Sequence, residues 1–206
     1  FRATQAIPCV PAVYDPCVVA IVSGTKEAVL DGQRFTYGAS HYLCCPMSMP
    51  VQAGTPHASD RDPLYGVLIS LDQRVMTELA LEMEQSGSIV TPRTPGVDAS
   101  GIKLARWDAP FADALDRVLQ LGDSPTDTAV LGASRLRELY YAILKGEAGA
   151  FARQAFGAGN AIARSITHVS SRLDAPVSID DMAMRAGMSR PVFRRRFNQV
   201  TRMAPI

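Results

Sequence analysis

The hydrophobic pattern changes period once, near Asp72, and that change constrains the fold more than any other feature of the chain. Before it, from Tyr14 to Leu71, short apolar and β-branched runs are broken by turn residues. After it, apolar residues recur at helical spacing. Strands followed by helices predict an α+β fold. Several short strands with no helix between them predict a sandwich or small barrel at the front. With 206 residues the chain makes one large domain or two small ones. That length buries a core without disulfide or metal staples. A composition of 47% hydrophobic and 20% charged residues excludes disordered, collagenous and disulfide-dense classes. No apolar run approaches the roughly 20 residues of a membrane span.

Turn and cap residues divide the chain further. Strands are expected at Cys17–Ser23, Lys26–Leu30, Gln33–Tyr37, His41–Cys45, Met49–Ala53 and Tyr65–Leu71. Asp31-Gly32 is the strongest hairpin signal, since both residues tolerate the positive φ of a type I′ turn. Gly54–Pro63 reads as a loop. Asp72 caps a helix to about Gln85, and Asp108 caps another ending at Gly122. Ser124-Pro125 opens a third, running to Lys145. Ser86–Gly101 reads as loop and Gly101–Trp107 as a last strand. A short helix is expected at Ala148–Phe156 and a longer one at Ala158–Leu173.

The net charge of +1 hides an asymmetry. Residues 157–206 carry eight arginines against three aspartates, for +5, leaving −4 on the rest. No acidic residue follows Asp181. A basic end on a mildly acidic body fits a polyanion partner, though a solvated charged helix has the same composition. Within this end, Ser178 and Asp181 form a capping box. Ala186-Gly187-Met188 stops the helix so opened. Ser189 caps a second helix with Pro191 in its first turn. Val192, Phe193, Phe197 and Val200 share one face of that helix, while Arg190, Arg194, Arg195 and Asn198 occupy the other. Two short helices, a glycine turn and a cationic outer face make a helix-turn-helix. An arginine fork can bond guanine O6 and N7, and a cationic face releases counterions from phosphate.

The string IARSITHVSSRLDAPVSIDDMAMRAGMSRPVFRRRFNQVTRMAP resembles the first part of an AraC-family DNA-binding domain. Ala183, Ala186, Gly187, Met188, Ser189, Phe193, Arg195, Phe197, Thr201 and Pro205 carry the match. Arg202 stands where the family has glycine. VYDPCVVAIVSGTKEAVLDGQRFTYGASHYL is similar to the cupin-like effector domain of one AraC subgroup, and RELYYAILKGEAGAFARQ to its interdomain helices. The resemblance implies a cupin-like effector domain over 1–107, a helical dimerisation and connector region over 108–156, and the first half of the DNA-binding domain over 157–206. It also implies a second helix-turn-helix beyond Ile206, so the chain is expected to be a piece of a longer regulator. The absence of an initiator Met leads to the same expectation. On this resemblance Arg190, Arg194 and Arg195 read bases, while Arg196, Asn198 and Ser178 hold phosphates. The partners implied are promoter DNA, a small-molecule effector and a second copy of the chain.

The effector is less legible. Tyr14, Cys17, Tyr37, His41, Cys44 and Cys45 are the candidate lining residues. Only one of Cys44 and Cys45 can face an interior, because neighbours on a strand point to opposite faces. A thiol of low pKa would sense electrophiles, whereas small buried core thiols would not. His41 and His57 are the only histidines in the β region and form no HxH, so neither a metal nor another cofactor is expected. The chain has no GxSxG, HExxH, Walker or GxGxxG motif, and it reads as a regulator, not an enzyme. A metal-dependent cupin enzyme and a pure dimerisation module are the competing readings. Cys9, Cys17, Cys44 and Cys45 form no CxxC and read as reduced thiols of a cytoplasmic protein.

Overall fold

The computed structural model describes residues 1–86, 101–157, 165 and 178–201. The expected loop over 86–101 and the expected helix over 158–173 fall almost wholly outside these residues.

Among the described residues nine strands form two antiparallel sheets. They are β1 (Arg2–Ala3), β2 (Ile7–Tyr14), β3 (Cys17–Ser23), β4 (Thr25–Leu30), β5 (Gln33–Gly38), β6 (His41–Cys45), β7 (Met49–Thr55), β8 (Leu64–Ser70) and β9 (Lys103–Arg106). The first sheet has the order β1-β8-β3-β6-β9 and the second β2-β7-β4-β5. The arrangement is a sandwich and not a closed barrel. As expected, Asp31 and Gly32 turn the β4–β5 hairpin, with φ of 51° and 74°. The register Lys26↔Tyr37 through Leu30↔Gln33 follows from that turn.

The sequence reading missed β1 and β2. Pro8 and Pro11 depress the strand signal of β2, but β2 is an edge strand, where a missing N–H is tolerated. It also misplaced the end of β7, which runs through Gly54 to Thr55. Glycine is needed there because β2 crosses so closely: a Cβ at Gly54 would lie 2.7 Å from Cys9 N and Ile7 O.

The helices are α1 (Gln73–Gln85), α2 (Ala109–Leu119), α3 (Pro125–Lys145) and α4 (Gly149–Phe156), with a short 3₁₀ turn at Gln120–Asp123. The caps expected at Asp72, Asp108 and Ser124 form. Asp72 accepts from Val75 N at 3.0 Å, Asp108 from Phe111 N at 2.9 Å and Ser124 from Asp127 N at 3.2 Å. Ion pairs tie the helices together, Arg137 to Glu82 at 2.7 Å and Arg117 to Glu138 at 2.7 Å. Tyr140 joins them to the sheet by donating its hydroxyl to Ser70 O at 2.7 Å.

The centre of the first sheet is buried on both faces. Val18, Ala20, Tyr42, Cys44, Ile69 and Ala105 pack under α1–α4. Cys17, Val19, Ile21, Leu43, Cys45 and Leu64 meet Ala28, Leu30, Tyr37, Met49 and Val51 of the second sheet. On the helical side Phe111, 1% exposed, stacks on Tyr42 at 4.7 Å. Phe111→Ala should lower the unfolding free energy by about 3–5 kcal/mol in denaturant titration, through lost burial and an unfilled cavity.

Two further helices follow, α5 (Ile179–Arg185) and α6 (Arg190–Thr201). Met182, Ala183, Ala186, Phe193 and Phe197 form a core of their own.

Candidate functional site

The α5–α6 pair is built by local signals. The Ser178 hydroxyl accepts from Asp181 N at 3.0 Å and donates to the Asp181 carboxylate at 2.8 Å. The Asp181 side chain therefore turns to the Ser178 hydroxyl, and the capping interaction is confined to these two residues. At the other end of α5 the glycine stop is a Schellman turn. Gly187 N donates to Met184 O, Met188 N donates to Ala183 O, and Gly187 has φ of 63°.

Two phenylalanines then fix the rotation of α6. Phe193 and Phe197 are 0% and 8% exposed, with ring centroids 5.6 Å apart. Their burial turns Arg190, Arg194, Arg195 and Asn198 outward. Arg190 lies 3.5 Å from Asp180, across the turn. Among the described residues no carboxylate pairs with Arg194 or Arg195. The side chain of Arg196 lies outside the described set. The sequence-predicted arginines thus project to solvent, on a helix anchored from behind.

The six candidate effector residues separate. Tyr14, Cys17, Tyr37 and Cys45 come together between the sheets. Cys44 faces the helices instead. His41 sits at the start of β6, partly exposed, its Nδ1 3.0 Å from Ala39 O. Cys17 and Cys45 are opposite one another in the β3–β6 register, and Cys45 donates its S–H to Met47 O at 3.1 Å. The Tyr14 and Tyr37 hydroxyls lie side by side, close to both thiols. Tyr37 is only 3% exposed, and its hydroxyl faces that of Tyr14.

Burial sets the chemistry of this interior. It pushes the Cys17 thiol up to about 11 and the Cys44 thiol up to about 12. Cys45 is raised well above the usual thiol value, Tyr14 goes to about 12, and Tyr37 rises too. These thiols are protonated at neutral pH and are poor nucleophiles, so they lack the chemistry of an electrophile sensor.

Several nearby residues were missed. Met47 and Met49 are buried beside Tyr14 and the thiols. Lys26 shares the inner face by its register with Tyr37, and period-two counting back from Ala28 and Leu30 would have found it. On the outside of the second sheet Glu27 is 7% exposed, pairs with Arg34, and lies 3.7 Å from His57. Among the described residues no three His, Cys, Asp or Glu side chains assemble to hold a metal. No described helix is long and apolar enough to cross a membrane.

A family model for the N-terminus of AraC-type transcriptional regulators matches residues 1–151. The chain belongs to the AraC-type regulators. Solved structures with a similar fold include ToxT from Vibrio cholerae, 11% identical over 100% of this chain and 94% of that one, with TM-score 0.41. Another is unsaturated fatty acid bound wild-type ToxT from Vibrio cholerae strain SCE256, 11% identical over 100% and 91%, with TM-score 0.43. A third is the AraC-like transcriptional activator CuxR, 12% identical over 94% and 68%, with TM-score 0.43. No curated protein gave a significant match.

Raised thiol and phenol values make this AraC-type chain sensitive to alkali. A group whose folded value is raised holds its proton longer in the native state, so stability falls as pH climbs from the unfolded to the folded value. Here that window opens near the unperturbed cysteine value of 9.0 and extends to about 11 for Cys17 and about 12 for Cys44 and Tyr14. Denaturant unfolding at stepped pH should show a progressive decline through this window, and Cys44→Ala should make it shallower.

Proposed function

We propose that this AraC-type regulator binds promoter DNA sequence-specifically through α5 and α6, under control of an effector held between its two sheets. The exposed Arg190, Arg194 and Arg195 face, set by the buried phenylalanines behind it, carries the reading. A helix so presented suits the major groove, where arginine forks bond guanine edges. Arg196 and Asn198 serve as phosphate contacts, Asn198 from the outward side of the helix. Ser178 joins them through the N-terminus of α5, where its hydroxyl caps the backbone.

The effector reading rests on the cluster of polar and thiol side chains formed by Tyr14, Tyr37, Cys17 and Cys45 between the sheets. Ligand contact there shifts how the sandwich and its helices pack, and with it promoter occupancy. The protonated thiols favour a reversibly bound ligand over a covalently reacting one. The chain works in the cytoplasm.

Pairing of two copies follows from α2 and α3. Leu119, Val130, Leu131 and Leu136 are exposed by 50%, 72%, 38% and 37% on adjoining helices. Covering them in a two-fold dimer would place two α6 helices on repeated half-sites. Light scattering should report a dimer, and Val130→Asp should shift it toward monomer. A monomer at all concentrations would reject the pairing.

The DNA reading is tested by selecting bound sequences from a random pool and titrating the winner. Arg195→Ala in the intact regulator should weaken specific binding by about 1–3 kcal/mol and relax preference at one base position. Equal loss on scrambled DNA would make Arg195 a phosphate contact. No enrichment of any sequence would reject the regulator reading.

A further inference from the structure

Two buried groups in the sandwich point to one chemistry: the thiols of Cys17 and Cys45. Cys17 and Cys45 are directly paired on neighbouring antiparallel strands. Alternation sends both side chains to the inner face of the first sheet, where both are buried. Opposed residues of this kind hold their Cβ atoms about 4.5–5.5 Å apart, so their sulfurs can sit on either side of a single ion. Cys44 takes no part, because it points to the helices.

The surroundings are soft. Met47 and Met49 add thioethers to the same buried cluster. The nearest acid, Asp15, is on the exposed side and accepts a hydrogen bond from Ser48 at 2.9 Å. Thiol and thioether donors select monovalent copper-type ions over magnesium, calcium or manganese. The Tyr37 hydroxyl lies beside both thiols, where a metal-bound thiolate would accept a hydrogen bond from it.

An entrance lies beside the pair. Leu68 is paired with Val19 and Ser70 with Cys17, so both stand on the inner face. Yet Leu68 is 55% exposed and Ser70 is exposed too, which leaves the sandwich open along β8.

We propose that Cys17 and Cys45 form a two-coordinate site for a soft monovalent metal ion of the copper(I) and silver(I) class. One ion and two thiols give a bis-thiolate complex of net charge −1 and two released protons, with no change in oxidation state. Tyr37 donates to one of the thiolate sulfurs. The proposal rests on the reading of this interior as the effector space and names the effector's class. Its test measures the metal centre alone, so a failure of DNA binding does not touch it.

The experiment is an anaerobic titration of the whole chain with copper(I) against a competing chelator. The expected result is one ion bound per chain, two protons released, and X-ray absorption showing two sulfur neighbours. Cys17→Ala and Cys45→Ala should abolish this binding, while Cys9→Ala and Cys44→Ala leave it within about threefold. Tyr37→Phe should weaken it by about 10-fold, as loss of an outer hydrogen bond does. Binding that survives both Cys17→Ala and Cys45→Ala, or that depends on Cys9, would overturn the proposal. So would failure of the wild-type chain to compete with the chelator. Should either alanine variant fail to fold, the absorption spectrum of the wild-type complex decides: two sulfurs support the site, and oxygen or nitrogen neighbours reject it.

Discussion

A single sheet whose centre is buried on both faces organises this molecule. Strands β3 and β6 lie at its centre, and nearly every side chain on them is withdrawn from water. Their even-numbered residues Val18, Ala20, Tyr42 and Cys44 support the helices. Their odd-numbered residues Cys17, Val19, Ile21, Leu43 and Cys45 form one wall of the sandwich. Slipping either strand by one residue would exchange these two sets, so the register is held by two cores at once. The same sheet connects the space between the two sheets to the helices. A shift at Cys45 moves the backbone that carries Cys44 and Tyr42, and Tyr42 is stacked on Phe111. Close-packed interiors transmit such displacements, since few voids are available to absorb them.

The readable parts of the fold were those set by neighbouring residues. Asp72, Asp108, Ser124 and Ser178 each satisfy an N–H three residues away, so a cap is written within one turn. Asp31-Gly32 and Gly187 need only their own backbone freedom. The failures had long-range causes. Whether the prolines of β2 are tolerated depends on which edge that strand occupies. Whether Gly54 is strand or loop depends on β2 crossing over it.

The two candidate sites divide along the same line. The arginine face of α6 was legible because one helix, its glycine stop and two phenylalanines set its orientation within about two dozen residues. The sandwich interior was only half legible. Tyr14, Cys17, Tyr37 and Cys45 come from four different strands, and Met47 and Met49 join them only when the sheets close. His41 and Cys44 were drawn into the same list by residue type alone, and strand position removed them. The thiols' acidity was unreadable for a similar reason: the dominant effect is desolvation, a property of the finished core.

The sequence alone determined that a block of strands precedes the helices, most of the caps and turns that bound them, and the basic helix pair at the end. These follow from hydrophobic period, backbone freedom and local hydrogen bonding, all of which act over a few residues. Only the tertiary structure decided which face of each strand sees which core, which thiols meet, and which hydroxyls lie beside them. Those outcomes depend on strand pairing between distant segments, and pairing is selected by the burial of both faces together.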